Sequence, residues 1–390
     1  MHYIKQCLEP GRILNYIDSI SYKKKMINNN FNPKQAGMIE LQLTDKCNLN
    51  CFHCHFRNKG DKYFDEKWID LVLNDISPKA ISLAGGGEPT LYPDFNETIY
   101  RLKNGKSNPQ IGLITNGLFI PQGDWPSLLS WLRISLYSVN DKQYAGRDSM
   151  FQQKVINNTE KYMNMDNLNM LGVSLLYYSG NVIDCIRLSF ALYKILKTSK
   201  REIDKFNLQF KRAFVLSDPR NLNEDIYVEN INLIPGQQEL RNAIKYKEQL
   251  CFEDLEFEMF LNQCTNFEQI VDFLLNGRER TIAQLNPNKL SPQNFSNCYV
   301  VLENRLITPD GYVYSCPSIA ENRKPELALG HILDKDNVYA KNILKYYKCT
   351  FEWCNKRFCR HTEHNQLVQN CLEFGQSYEY SSEILEDNFF

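Results

Sequence analysis

The chain has 390 residues, 43% of them hydrophobic and 23% charged, which is enough for one large domain and a smaller one. A net charge of -1 gives no footprint for nucleic acid or an anionic membrane, and no apolar stretch reaches the length of a membrane span. The N-terminal MHYIKQCLEP lacks the apolar core of a signal peptide, so a cytoplasmic protein with no nucleic-acid and no membrane partner is expected. Thirteen cysteines in a reducing compartment point to metal ligation rather than disulfides, and an odd count leaves at least one outside any pairing.

In chain order, residues 1–37 read as an N-terminal helical extension, with a helix over 13–27 and then an Asn-rich turn, NNNFNP. Apolar runs predict strands over 38–44 (MIELQLT), 79–84 (KAISLA), 110–115 (QIGLIT), 132–137 (LRISLY), 170–177 (MLGVSLLY) and 206–214 (FNLQFKRAF). A helix over 65–76 puts Ile69, Val72, Leu73 and Ile76 on one face, and a helix over 94–102 opens after Pro93 with a capping box of Asp94 and Glu97. Such alternation favours right-handed βαβ units and a parallel sheet, an α/β fold class. Pro- and Asn-containing stretches and two helical patterns follow, so 218–297 is expected to be a helical linker or insert, in which LCFEDLEFEMFL reads as an amphipathic helix.

The segment CNLNCFHC holds Cys47, Cys51 and Cys54 in a C-x3-C-x2-C spacing at the end of the first strand. Thiolates are the ligands of 4Fe-4S centres. Three of them on a four-iron cube leave one iron open to a small molecule. A zinc knuckle completed by His53 or His55 is the alternative. After the second strand comes Gly85-Gly86-Gly87-Glu88-Pro89-Thr90, where missing Cβ atoms allow backbone to approach a ligand. Together these segments resemble the signature of the radical S-adenosylmethionine (radical SAM) superfamily. The resemblance implies a partial (β/α)6 barrel spanning 38–217, with its chemistry at the C-terminal strand ends. It also implies SAM chelated to the open iron by its amino and carboxylate groups, with Gly86, Gly87 and Glu88 at the amino group. Ser135, on the fourth strand, and Arg147, in YAGR, are similar to the family's ribose and carboxylate contacts, Arg147 suiting a bidentate pair. Packing and loop capping are the plain alternatives for these two. Asn116, in the TNG turn, is a further SAM candidate, and Lys211-Arg212 on the sixth strand faces an acidic peptide or the SAM pocket.

Cys298, Cys316, Cys349, Cys354, Cys359 and Cys371 form a second group. Cys298-x12-Gly311-x4-Cys316, within which Asp310-Gly311 is a hairpin-turn signal, resembles the opening of SPASM and twitch domains. The resemblance implies an iron-sulfur SPASM/twitch-like domain over 298–390 holding at least one auxiliary 4Fe-4S cluster on four of these cysteines. The run from Cys349 to Cys371 departs from the SPASM spacing, and a zinc site of Cys349, Cys354, Cys359 and His361 or His364 is the alternative. Cys371 is the most separable thiol and the candidate hydrogen donor. Cys7, Cys185, Cys251 and Cys264 read as core or incidental thiols.

Proteins combining the two regions are mostly maturases of ribosomally made peptides. The resemblance therefore implies a precursor peptide substrate, hydrogen abstraction by a 5'-deoxyadenosyl radical with epimerisation as one outcome, and an electron donor such as flavodoxin or ferredoxin. A separate leader-recognition protein is expected if the insert does not read the leader. Cross-linking, backbone excision and a small-molecule dehydrogenase or cofactor-assembly reaction are the alternatives.

Overall fold

The computed structural model describes residues 32–51, 54, 56, 60–137, 149–177, 180–212, 237–264, 297–320, 323–348, 365 and 369. The expected helix over 13–27, together with Arg147, Cys349, Cys354, Cys359 and Cys371, lies outside them.

Six strands follow one another as expected: β1 (Met38–Leu41), β2 (Ala80–Leu83), β3 (Gln110–Thr115), β4 (Trp131–Leu136), β5 (Met170–Tyr177) and β6 (Phe206–Arg212). Helices α1 (Phe95–Lys103), α2 (Ser149–Met163) and α3 (Val182–Thr198) fall between successive strands. The pairs β1–β2, β4–β5 and β5–β6 are parallel. This is the α/β architecture of a partial (β/α)6 barrel. Three further strands, β7 (Asn304–Ile307), β8 (Tyr312–Tyr314) and β9 (Gly330–His331), complete the hydrogen-bonding order β6-β5-β4-β3-β2-β1-β7-β8-β9.

The chain divides into two compact units, one of 1–46, 58–112 and 291–390, the other of 47–57 and 113–290. In the first, β7 runs parallel to β1 with Met38 opposite Asn304, and β8 and β9 continue antiparallel. Its core is built from Ile39, Leu41, Ile81, Leu83, Ile99, Leu102, Val301, Leu302 and Ile307, all inaccessible to solvent. Arg305 is buried with them, donating to the carbonyls of Val301, Asn304, Pro33 and Gln35 at 2.7 to 3.1 Å, and so ties residues 33–35 to β7. The second unit buries one face of β4, Leu132, Ile134 and Leu136, with Leu171, Val173 and Leu175 of β5 and Leu208 and Phe210 of β6. Two helices after the sixth strand, α4 (Gln237–Glu253) and α5 (Glu256–Gln263), match the two helical patterns.

Three local expectations are corrected. The helix over 65–76 is a composite of a 3-10 turn (Glu66–Trp68), an α turn (Ile69–Leu71) and a π turn (Val72–Ile76), and it stops at Ser77, whose φ of 50° is left-handed. Pro78 disfavours right-handed helix at the residue before it, which explains the stop. Asp94 precedes α1 but makes no side-chain cap bond. Its ψ of 41° lies outside the extended region a capping box needs, so the box with Glu97 does not form. LCFEDLEFEMFL is two helices rather than one, because the Asp254 carboxylate accepts the Glu256 N–H at 3.2 Å and starts α5 anew.

Candidate active site

In the first unit, the glycine turn after β2 lies against the segment that continues β1. Gly87 N–H donates to Thr44 O and Glu88 N–H to Lys46 O, both at 2.7 Å. Gly85 and Gly86 hold φ of 75° and 66°, left-handed values that favour glycine. A Cβ on Gly87 would overlap the Lys46 carbonyl oxygen, and one on Gly86 would stand 2.9 Å from Thr44 O. The turn is thereby stitched to the residue immediately before Cys47. Glu88 is 3% exposed and caps the 3-10 turn Pro89–Leu91, its Oε1 accepting from Thr90 N–H at 3.2 Å and Thr90 Oγ1 at 2.7 Å. Its carboxylate thus shapes the turn that follows β2.

The sequence gives no sign of Arg323 in this region. Its guanidinium forms a buried ion pair with Asp45, and its Nη2 donates to Gln42 Oε1 at 3.4 Å, the latter fully buried on the continuation of β1. Arg323 Nη2 would also be 3.2 Å from a Cβ on Gly86. Only the pairing of β7 with β1 and the hairpin after it bring so distant a residue to the turn.

In the second unit, Cys47, Cys51 and Cys54 are half-buried. Cys54 N–H donates to Cys51 O at 3.1 Å, and Leu49 N–H points at the Cys47 sulfur at 3.5 Å. Asn116 fixes this loop: its Nδ2 donates to Asn48 Oδ1 at 2.7 Å while its Oδ1 accepts Leu118 N–H at 3.0 Å. Gly117 takes φ of 73°, and Asn158 Nδ2 donates to its carbonyl at 2.8 Å, holding the TNG turn from α2. Asn116 therefore stands beside the cysteine loop as a scaffold contact. Ser135 lies on β4 and hydrogen-bonds Tyr137, whose role the sequence reading missed. Burial pushes the Tyr137 phenol well above its ordinary range, and the charges of Cys51, Cys54 and Cys47 push the same way, against the Ser135 hydrogen bond. Such a donor set, three thiols on one loop beside a single side chain, fits a cube held by three protein ligands. Cys47, Cys51 and Cys54 would hold it, and the chemistry it supplies with SAM is one-electron cleavage of the sulfonium. Among the described residues no three His, Cys, Asp or Glu side chains converge as around a single metal ion.

Of the C-terminal group, Cys298 and Cys316 are described and half-buried. Cys298 N–H donates to Tyr347 O at 2.9 Å. The expected hairpin is present: Gly311 has φ of 80°, its N–H donates to Thr308 O at 2.9 Å, and Thr308 Oγ1 donates to Asp310 at 2.6 Å. Burial works to raise the Asp310 carboxyl, yet the Thr308 hydroxyl and Lys62, 3.0 Å away, together hold it below the usual carboxylate range. Strand β8 then delivers Cys316 to the start of α6 (Pro317–Ala320), where its carbonyl accepts Ala320 N–H at 3.2 Å.

Residues 41–165 match the radical SAM superfamily. An S-adenosylmethionine-dependent nucleotide dehydratase from a Thermoplasmatales archaeon is 30% identical over 108 residues, 26% of this chain and 38% of the relative. A probable GTP 3',8-cyclase from Methanocaldococcus jannaschii is 28% identical over 161 residues, 39% and 53% of the two chains. The chain thus spans about half or less of these curated relatives. Among solved structures, anSMEcpe with bound AdoMet and Cp18Cys peptide is 19% identical with a TM-score of 0.48, covering 84% of this chain and 87% of that one. Streptococcus suis SuiB bound to precursor peptide SuiA is 13% identical with a TM-score of 0.47, covering 82% and 67%. At that similarity neither structure bears on the substrate. No helix among the described residues is long and apolar enough to cross a membrane. Residues 41–165 are accordingly a radical SAM domain, of the superfamily whose members use S-adenosylmethionine with a 4Fe-4S cluster.

Proposed function

We propose that the protein is a peptide maturase that removes a hydrogen atom from a ribosomally made peptide, with L-to-D epimerisation as the outcome. The observation that carries this reading is the hairpin turning at Asp310-Gly311, which ends at Cys316 and stands beside a radical SAM core, the pairing that resembles SPASM-type maturases. Cys298, Cys316, Cys349, Cys354 and Cys359 are the ligand pool for an auxiliary 4Fe-4S cluster. Cys47, Cys51 and Cys54 would hold the cluster whose one-electron cleavage of bound SAM would supply the hydrogen-abstracting radical. Cys371 returns a hydrogen atom from its S–H to the opposite face of the carbon, and the sulfur-centred radical left behind takes one electron and one proton, the electron coming from a flavodoxin- or ferredoxin-type donor. Gly86, Gly87, Glu88, Asn116, Ser135 and Arg147 hold SAM. A separate protein reads the leader of the peptide.

The test is anaerobic co-expression with the short peptide encoded beside the gene, in deuterated water, followed by high-resolution mass analysis. Solvent deuterium at α-carbons with no other mass change supports the epimerase. Loss of hydrogen pairs indicates cross-linking, and loss of a backbone fragment indicates excision. A second reading, action on a nucleotide, is favoured by the names of the curated relatives, a nucleotide dehydratase and a GTP 3',8-cyclase. An unchanged peptide with SAM still cleaved would bring that reading forward.

A further inference from the structure

Along β4, Trp131, Arg133 and Ser135 alternate with the fully buried Leu132, Ile134 and Leu136, and Tyr137 continues the series. Alternate residues of a strand share a face, so these four lie on the side that turns Tyr137 toward the thiols. The register carries this face across the sheet. Arg133 is opposite Gly172, which is opposite Asn207, while Ser135 is opposite Ser174, which is opposite Gln209. Barrel interiors are ordinarily filled by branched apolar side chains. Here two successive rows carry a guanidinium, two hydroxyls and two amides instead.

Arg133 is distinctive within these rows. Its guanidinium carbon lies 5.2 Å from the Trp131 ring, and its Nε lies where a Cβ on Gly172 would be 3.6 Å away, so it sits between the ring and the bare backbone of Gly172. Among the described residues it pairs with no carboxylate and makes no hydrogen bond. Burial alone pulls its pKa below the ordinary arginine value, with no neighbouring charge acting on it. A half-buried cation without an anion beside it is available to bind one, and arginine's planar fork is matched to oxyanions.

We propose that Arg133, with Ser174, Asn207 and Gln209 beside it, binds an oxyanion of the substrate, namely the carboxylate of an acidic peptide residue. The identity of that anion rests on the peptide reading above, whereas the site itself does not. Arg133 stands two residues along the strand from Ser135, about 7 Å. An extended peptide covers that distance in about two residues. The acidic group therefore belongs to the attacked residue or to one of its near neighbours.

Tryptophan emission of the full-length protein with its cluster in place reads this site without turnover, with Trp131→Phe assigning the signal to the ring beside Arg133. The probes are N-acetyl-glutamate methylamide, its glutamine counterpart and GTP. A saturable change with the glutamate probe and none with the glutamine probe is expected. Arg133→Gln should raise the half-saturation about tenfold to a hundredfold, and Arg133→Lys should raise it less. No saturable change with glutamate probe or GTP, or a change that survives Arg133→Gln, overturns the site. A response to GTP alone overturns the peptide carboxylate and assigns the anion to nucleotide phosphates. Glutamate binding without any change in a co-expressed peptide would sink the maturase reading and leave the anion site standing.

Discussion

Gly87 sits where a single added carbon meets backbone rather than a movable side chain, namely the Lys46 carbonyl next to Cys47. Gly87→Ala should therefore move the cysteine loop. The expected result is a loss of about 1–3 kcal/mol of stability, read as a lowered melting temperature, together with loss of reductive SAM cleavage. The Asp45–Arg323 pair is buried on both sides, 4% and 11% exposed. Asp45→Asn removes the carboxylate from a buried ion pair, for which about 3–5 kcal/mol of lost stability is expected. Asp45→Leu with Arg323→Met should recover much of that loss, and urea titration of the three proteins checks it. Cys264 answers the question of spare thiols differently, because burial pushes its pKa up from 9.0 to about 12. The fold favours the protonated thiol, so this contribution to stability is whole below pH 9.0 and is lost as pH rises through about 12. Cys264 should resist iodoacetamide at pH 8 in the folded protein and react once the chain is unfolded in urea.

The β7–β8 hairpin shows how a local signal becomes tertiary structure. Asp310-Gly311 marks the turn in the sequence, and the structure adds why no other residue serves: a Cβ on Gly311 would stand 2.5 Å from His331 Nε2 and 2.8 Å from the Trp68 ring. Gly311→Ala should cost about 1–3 kcal/mol, since left-handed φ and crowding act together. Iron content should fall with stability if the hairpin presents an auxiliary-cluster ligand. The six strands were legible because each is a short apolar run closed by turn residues, and β3 and β5 end where the pattern ends. The cysteine loop and the glycine turn were legible for the same local reason. Arg323 and Tyr137 were not. Arg323 reaches Asp45 only through a β1–β7 pairing that no local period encodes, and Tyr137 looks like any strand-end aromatic until the thiols are placed beside it. The missing capping box at Asp94 makes the converse point: residue types at the right spacing form a cap only when the backbone entering the helix is extended.

For the whole molecule, the two cysteine groups have separable consequences. Replacing Cys47, Cys51 or Cys54 by Ala should abolish reductive SAM cleavage, measured as 5'-deoxyadenosine formed under dithionite. Cleavage surviving in all three variants would contradict the assignment. Replacing Cys298 or Cys316 by Ala should lower bound iron by one cluster's worth while SAM cleavage persists, with chemical iron assay and electron paramagnetic resonance as the readouts.

The parallel pairing of Met38 with Asn304 also sets an order of events on the ribosome. Strand β1 emerges early, but the neighbour on one of its edges is made only after most of the chain, on the order of tens of seconds later at ordinary translation rates. Until then that edge, with Ile39 and Leu41, is open to pairing with other nascent chains. The buried anchor for Asp45 arrives later still, with Arg323. Slowing elongation across 218–297 should therefore lower soluble yield, and an engineered variant carrying residues 297–348 ahead of residue 32 should gain it back.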